Sequence, residues 1–202
     1  MTEQQEYTWD DLQNAVGRDF SDGQTRYATD VVERWAIRAF CEPMEMDCPL
    51  HWDDDEARKW GYRGIIAPHS SISFTFTTIA RWHPGDPTRW TDPHREDAAY
   101  QDNPRSNSDR ATKLPMPPTS QSFLADLEVE YYRPVYVGDR LGARGQKLLS
   151  VKVRRTSVGF GAFLTFEREV VNQYGELVAH VRSGSYRFNP EPASEGHGKH
   201  PA

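Results

Sequence analysis

Apolar and polar positions change their rhythm along the chain, and the changes divide it into stretches. Residues 1–28 are polar, with one short piece of ordered character, "DDLQNAVGRDF". From Thr29 the apolar residues recur at helical spacing: Val31, Val32, Trp35, Ala36, Ala39 and Phe40. Asp30 followed by Glu33 predicts a capping box at the start of this helix, and Pro43 its end. A second helix is predicted from about Leu50 through "DDDEARKW" to Gly61. Its acids lie in front and Arg58 and Lys59 behind, as the helix dipole favours. In "YRGIIAPHSSISFTFTTIARW", Ile72, Phe74 and Phe76 alternate with Ser and Thr, a strand-like period. Residues 82–120 have no sustained period and are dense in Pro, Asp, Asn and Ser, as in a long loop insertion. From Phe123 onward four apolar-rich stretches predict strands: "FLADLEVEYYRP", "GARGQKLLSVKVRRT", "GFGAFLTFEREVVN" and "ELVAHVRSGSYRF". The turns "VYVGDRL" and "QYG" punctuate them, which predicts an antiparallel meander. The expected organisation is a flexible N-terminus over 1–15, one α+β domain over 16–188, and a disordered tail over 189–202.

Composition narrows the classes of function. A chain of 202 residues carries one substantial core. Hydrophobic residues are 37% and aromatic ones 12%, so aromatic rings must fill much of that core. The net charge is −6, from 24 basic and 30 acidic residues, which argues against nucleic acid or a membrane as partner. No apolar run approaches the ~18 residues of a spanning helix, and the polar first residues predict no signal peptide, so a cytoplasmic location is expected. Cys41 and Cys48 suggest neither a disulfide framework nor a zinc site.

The chemistry is densest in "MEMDCPLHWDDDEA", where His51 lies among Glu45, Asp47, Asp53, Asp54, Asp55 and Glu56. Consecutive acids at a helix start are more often dipole-matched and solvated than metal-binding, so no metal is expected. Cys48 lacks an evident histidine partner and reads as a packed thiol rather than a nucleophile. Asp139 in "VGDRL" reads as a turn residue. Arg144, Lys147, Lys152, Arg154 and Arg155 make the strand region locally basic. They suit a solvated strand face or an anionic small molecule.

Three segments in this order, "FCEPMEMDCPLHWDDDEA", "GYRGIIAP" and "RPVYVGDRL", resemble the MaoC-like dehydratases, or (R)-specific enoyl-CoA hydratases. The likeness is to their N-terminal-type domain, shared with the dehydratase of fungal fatty-acid synthase. The resemblance covers roughly Val16 to Phe188. It implies a hotdog fold, a long antiparallel sheet wrapped around one central helix, with "SSISFTFTTIA" as that helix, capped by Ser70 or Ser71. It further implies an aspartate and a histidine that hold a water for interconversion of 2-enoyl and (R)-3-hydroxyacyl thioesters. The substrate is carried on coenzyme A or phosphopantetheine, with no resident cofactor. His51 occupies the histidine position. Five residues before it stands Met46 rather than an acid; Asp47 follows one residue late, with Cys48 at the usual Asn position. The implied site is therefore His51 with Asp47, an oxyanion and substrate-binding stretch at Pro68, His69 and Ser70, and pocket residues Met46, Cys48 and Trp52. Two alternatives accompany this reading. One is a non-catalytic hotdog subunit that completes a partner's acyl pocket, the other a hotdog thioesterase, against which the acid-free "SSISFTFTTIA" counts. A homodimer or a heterodimer with another hotdog subunit is expected either way.

Overall fold

The computed structural model describes residues 6–73, 75–78 and 114–190. Four helices come first: α1 (Trp9–Asn14), α2 (Arg34–Cys41), α3 (Asp54–Lys59) and α4 (His69–Ile72). A two-residue strand, β1 (Arg26–Tyr27), lies between α1 and α2. Four long strands follow: β2 (Gln121–Tyr131), β3 (Gly142–Thr156), β4 (Gly159–Val171) and β5 (Leu177–Asn189). They form one antiparallel sheet in the order β1-β3-β4-β5-β2.

The meander expected from the sequence therefore holds for β3, β4 and β5 only. Two tight turns make it. Gly159, at φ 145, closes the β3–β4 turn, where a side chain would meet the backbone of Asn189. Between β4 and β5 the Asn172 carboxamide accepts from the amides of Tyr174 and Glu176. β2 instead pairs with β5 on the far edge, and the connection to β3 crosses the molecule. Its apolar residues account for that path, since Val135 and Leu141 are fully buried. Asp139 is the turn residue expected: its carboxylate accepts from the Tyr136 amide at 2.8 Å and its carbonyl from the Val32 amide at 2.8 Å.

Period-two alternation places one side of the sheet on the helices. Val170, Val178, Ala179 and Val181 pack with Ile37, Cys41, Ile65, Ile72 and Phe76 in the larger core. Leu148, Ala162 and Leu164 form a smaller one with Leu12, Ala15 and Leu114. Leu12 corrects the reading of 1–15 as flexible. Thr8 and Asp11 close a capping box on α1, and Leu12, fully buried, docks that helix on the sheet.

Other local expectations are also corrected. α2 begins at Arg34 with Glu33 at its N-cap and no side-chain cap bond, so the Asp30–Glu33 box does not form. Its buried positions are Ile37 and Cys41, while Trp35 is exposed. α3 starts at Asp54, and Leu50 belongs to a separate 3-10 turn, Pro49–His51. Of the segment read as the central helix, the described residues hold a helical turn at His69–Ile72 and turns at 75–77, with the Thr75 amide bonded to the Ser71 carbonyl at 3.0 Å. Its Ser and Thr are weak helix formers, consistent with the strand-like rhythm of the stretch. Neither Ser70 nor Ser71 caps it: Pro68 holds the N-cap position, and the Ser71 hydroxyl donates to the Pro68 carbonyl at 2.5 Å. Asn189, assigned to the tail, is ordered, bonding Ser120 and Pro118 through its carboxamide. The expectations for 1–5, for 82–113 of the insertion and for 191–202 fall outside the described residues.

Candidate active site

His51 is presented by a short, heavily tied turn. Pro49 pre-sets the backbone at its first position, and its carbonyl accepts from the amides of Trp52 and Asp53, both at 3.0 Å. Asp53 then caps α3, accepting from Asp55 and Glu56. On the other side, the Leu50 carbonyl accepts from the Ile66 amide at 3.0 Å. Ile66 in turn bridges Tyr136. Asp54 completes the frame. Its carboxylate accepts from the Ile65 amide at 2.9 Å and pairs with Arg34 at 2.5 Å, and these bonds hold it below the usual carboxylate range. The three consecutive aspartates thus serve as cap, anchor and exposed partner of Arg58.

Within this frame His51 is 8% exposed, and its Nδ1 lies 2.9 Å from the Ile66 carbonyl. A carbonyl oxygen can only accept, so Nδ1 carries the proton and Nε2 of the neutral ring carries the lone pair. The geometry defines one basic nitrogen.

Asp47 is not brought to it. The residue is exposed and makes no hydrogen bond or ion pair among the described residues. Met46 takes the inward position instead. Its amide bonds the Cys41 carbonyl, its carbonyl accepts from Trp52 Nε1 at 2.8 Å, and both side chains pack on the larger core. Glu45 sits in the left-handed region at φ 49 and is exposed. Cys48 is half-buried and bonds no histidine; burial, and then Cys48 itself, push the Cys41 thiol up. Both thiols are free. Among the described residues no cluster of three or more His, Cys, Asp or Glu side chains suits a metal.

The Pro68–Ser70 stretch lies at the start of α4. Pro68 is buried, His69 and Ser70 exposed. Amides in a first helical turn have no intrahelical acceptor. The His69 ring stacks on Tyr131 at the end of β2, with centroids 4.5 Å apart and planes 21° from parallel. Lost solvation first, and the nearby His51 second, draw its pKa down.

Sequence reasoning passed over Tyr131 and Arg168. Tyr131 shares the inward face of β2 with Val129, which strict alternation would have shown. Arg168 interrupts the inward row Leu164, Phe166, Val170 of β4. Its guanidinium donates to the Ser73 carbonyl at the end of α4, at 2.7 Å, and burial lowers its pKa. The basic residues of β3 do not converge. Arg144 pairs with Glu169, while Arg154 and Arg155 lie over the rings of Phe163 and Phe160.

A cavity of about 470 Å³ opens between the segment before α2 and the turns after α4, lined by Thr29, Asp30, Trp35, Ala36, Phe76 and Thr78. Ala36 and Phe76 belong to the same core cluster as Met46, Trp52 and Tyr131.

Residues 14–181 match the family described as FAS1-like, dehydratase domain region. A relative from Thermomonospora curvata, named "probable enoyl-CoA hydratase alpha subunit", is 27% identical over 185 residues, covering 91% of this chain. The match takes in 53% of that relative, so the chain spans about half the length of the curated protein it matches. Among solved structures, the ChsH1–ChsH2 complex of Mycobacterium tuberculosis matches with a TM-score of 0.62 and 22% identity, over 90% of this chain and 98% of that one. The C-terminally truncated HadBC (3R)-hydroxyacyl-ACP dehydratase complex of the same organism matches with a TM-score of 0.50 and 18% identity, over 85% and 99%. At these identities the likeness concerns the fold, which is a single hotdog domain.

Proposed function

The chain belongs to the FAS1-like dehydratase region family, and on that premise we propose that it is a subunit of an enoyl-thioester hydratase/dehydratase. The reaction interconverts 2-enoyl and (R)-3-hydroxyacyl thioesters, with the acyl group carried on coenzyme A or an acyl-carrier protein. The observation that carries this reading is His51, whose Nδ1 is held by the Ile66 carbonyl and whose Nε2 has no hydrogen-bond partner among the described residues, on a core-anchored turn. A positioned base contributes about 10²–10⁴ in rate, and a neutral imidazole works near physiological pH. In hydration, Nε2 takes a proton from water as its oxygen bonds the β-carbon. The double-bond electrons move onto the thioester oxygen, and the same proton then passes from the imidazolium to the α-carbon. The amides of the first α4 turn, at His69 and Ser70, suit the enolate oxygen. The cavity beside Trp35 and Phe76 offers room for the acyl group.

A second subunit belongs to the proposal. Among the described residues β2 is an edge strand paired only with β5, and Phe123, Leu124 and Leu127 on it are exposed. Such an edge favours pairing with another hotdog subunit. No described helix is long and apolar enough to cross a membrane.

The exposed Asp47 favours a second reading, in which this chain shapes the acyl pocket and a partner supplies the catalytic pair. One experiment separates the two. The chain is purified with any hotdog subunit that accompanies it, and hydration of an enoyl-CoA panel is compared for wild type and His51→Asn. Loss of turnover in the variant supports catalysis here; equal turnover assigns the chemistry to the partner.

A further inference from the structure

We infer that His69 holds the attacking water beside His51, filling the place that Asp47 leaves empty, and that Tyr131 holds the His69 ring for that task. The inference rests on the hydratase reading above. Three observations combine. Asp47 is exposed and makes no hydrogen bond or ion pair among the described residues, and no described carboxylate bonds His51. His69 begins α4 three residues beyond Ile66, whose carbonyl anchors His51. Its ring is fixed flat against Tyr131, 4.5 Å between centroids, which removes the rotamer freedom an exposed histidine would otherwise have.

The electrostatics fit the role. His69 stands close enough to His51 for positive charge on one to oppose charge on the other, and partial burial works in the same direction. Among the described residues, the titratable groups that meet it are His51, on its turn, and Tyr131, on β2. Both effects favour the neutral ring of His69, and a neutral imidazole keeps one lone pair as acceptor. A water bound between the two rings gives one hydrogen to Nε2 of His51 and directs the other to His69. As the water oxygen bonds the β-carbon, its first proton transfers to His51, while the hydrogen facing His69 stays on the new hydroxyl. His69 changes no bond and needs no co-reactant. It is a water-positioning residue, and its loss lowers turnover more than affinity.

The test compares wild type, His69→Phe, His69→Asn and Asp47→Asn, each purified with any hotdog subunit that accompanies it, in hydration of enoyl-CoA thioesters, with Tm measured on each. Phenylalanine keeps the stack on Tyr131 and removes the acceptor, whereas asparagine restores one. The expected result is a kcat about 10–100-fold lower for His69→Phe, with KM within about threefold, an intermediate kcat for His69→Asn, and Asp47→Asn within about twofold of wild type. A wild-type kcat in folded His69→Phe overturns the inference, and so does a loss confined to Asp47→Asn. Should His69→Phe fail to fold, His69→Asn and Asp47→Asn decide between the two residues on the same terms. A folded wild type inert on every thioester overturns the hydratase reading first and this inference with it, an outcome distinct from an active wild type with an indifferent His69.

Discussion

Replacing His51 by two amides separates its structural nitrogen from its chemical one. Asparagine places an amide near the position of Nδ1, where it can donate to the Ile66 carbonyl at 2.9 Å, but has nothing at Nε2. Glutamine reaches the Nε2 position and leaves the Ile66 carbonyl without its donor. The histidine is 8% exposed, so water cannot fully replace that bond. A neutral hydrogen bond is worth about 1 kcal/mol net, and a buried acceptor left unpaired costs about 1–3 kcal/mol. His51→Gln should therefore lose about 2 kcal/mol, lowering Tm by about 4–8 °C in a chain of this size. His51→Asn should stay within about 1 kcal/mol of wild type yet lose about 10²–10⁴ in kcat, the loss expected on removing a general base. Urea unfolding gives the stabilities and enoyl-CoA hydration the rates. A His51→Asn variant that is active as wild type refutes Nε2 as the base. One as unstable as His51→Gln refutes the Ile66 bond as what holds the ring.

Three further outcomes follow from the packing and the charges. Gly161→Ala should destabilise by about 1–3 kcal/mol, because its Cβ would fall 2.0 Å from the Arg187 carbonyl and 2.6 Å from Phe188 Cα. Gly184→Ala, whose clash is with the movable Asp126 carboxylate, should cost clearly less, and equal losses in urea unfolding would contradict this ordering. Ile72→Ala, fully buried in α4 at the centre of the larger core, should lose about 2–5 kcal/mol, and a loss under about 1 kcal/mol would show that α4 is loosely held. Stability should fall steadily on acidification. The folded pKa of His69 lies below its usual 6.5, so the unfolded chain binds the proton first and stability declines as pH drops through that value. Asp19, Asp54 and Glu169 are likewise held below 3.8, 3.8 and 4.5, and what they contribute is complete above about pH 5 and lost below it. The urea midpoint against pH reads this directly; His69→Phe should lack the first decline, and a midpoint that rises from pH 6.5 to 5 would contradict the assignment.

The sheet was legible because its strands are long and its turns chemically explicit. Asn172 and Gly175 mark one hairpin and Gly159 the other, and eleven to fifteen residues per strand leave no helical alternative. The pairing of β2 with β5 was not legible, since periodicity tells which face is buried but not which strand lies alongside. Local rules also lost to tertiary contacts in α2. Asp30 had the right spacing for a cap, but the Val32 amide is drawn to the Asp139 carbonyl more than a hundred residues away, and the helix starts later.

At the site, the turn carrying His51 was not legible, since the sequence read as one helix from Leu50 to Gly61 where a 3-10 turn, Pro49–His51, precedes α3. Nor was the direction of Asp47, because it follows from Met46 being tied on both sides, to Cys41 and to Trp52. The stack of His69 on Tyr131 joins residues sixty-two positions apart in the chain, and no local pattern marks it. A signal for Arg168 was present but unweighed: a cation on the inward side of a central strand requires a buried acceptor, here the Ser73 carbonyl.

The central claim is that His51 serves a hydratase, and turnover tests it most directly. Hydration of enoyl-CoA thioesters should be followed with the purified full chain and any hotdog subunit that accompanies it, beside the same preparation carrying His51→Asn. The account predicts turnover in the first and loss of about 10²–10⁴ in the second, with both proteins equally folded. Turnover that is unchanged by the substitution, or absent from both preparations, would contradict it.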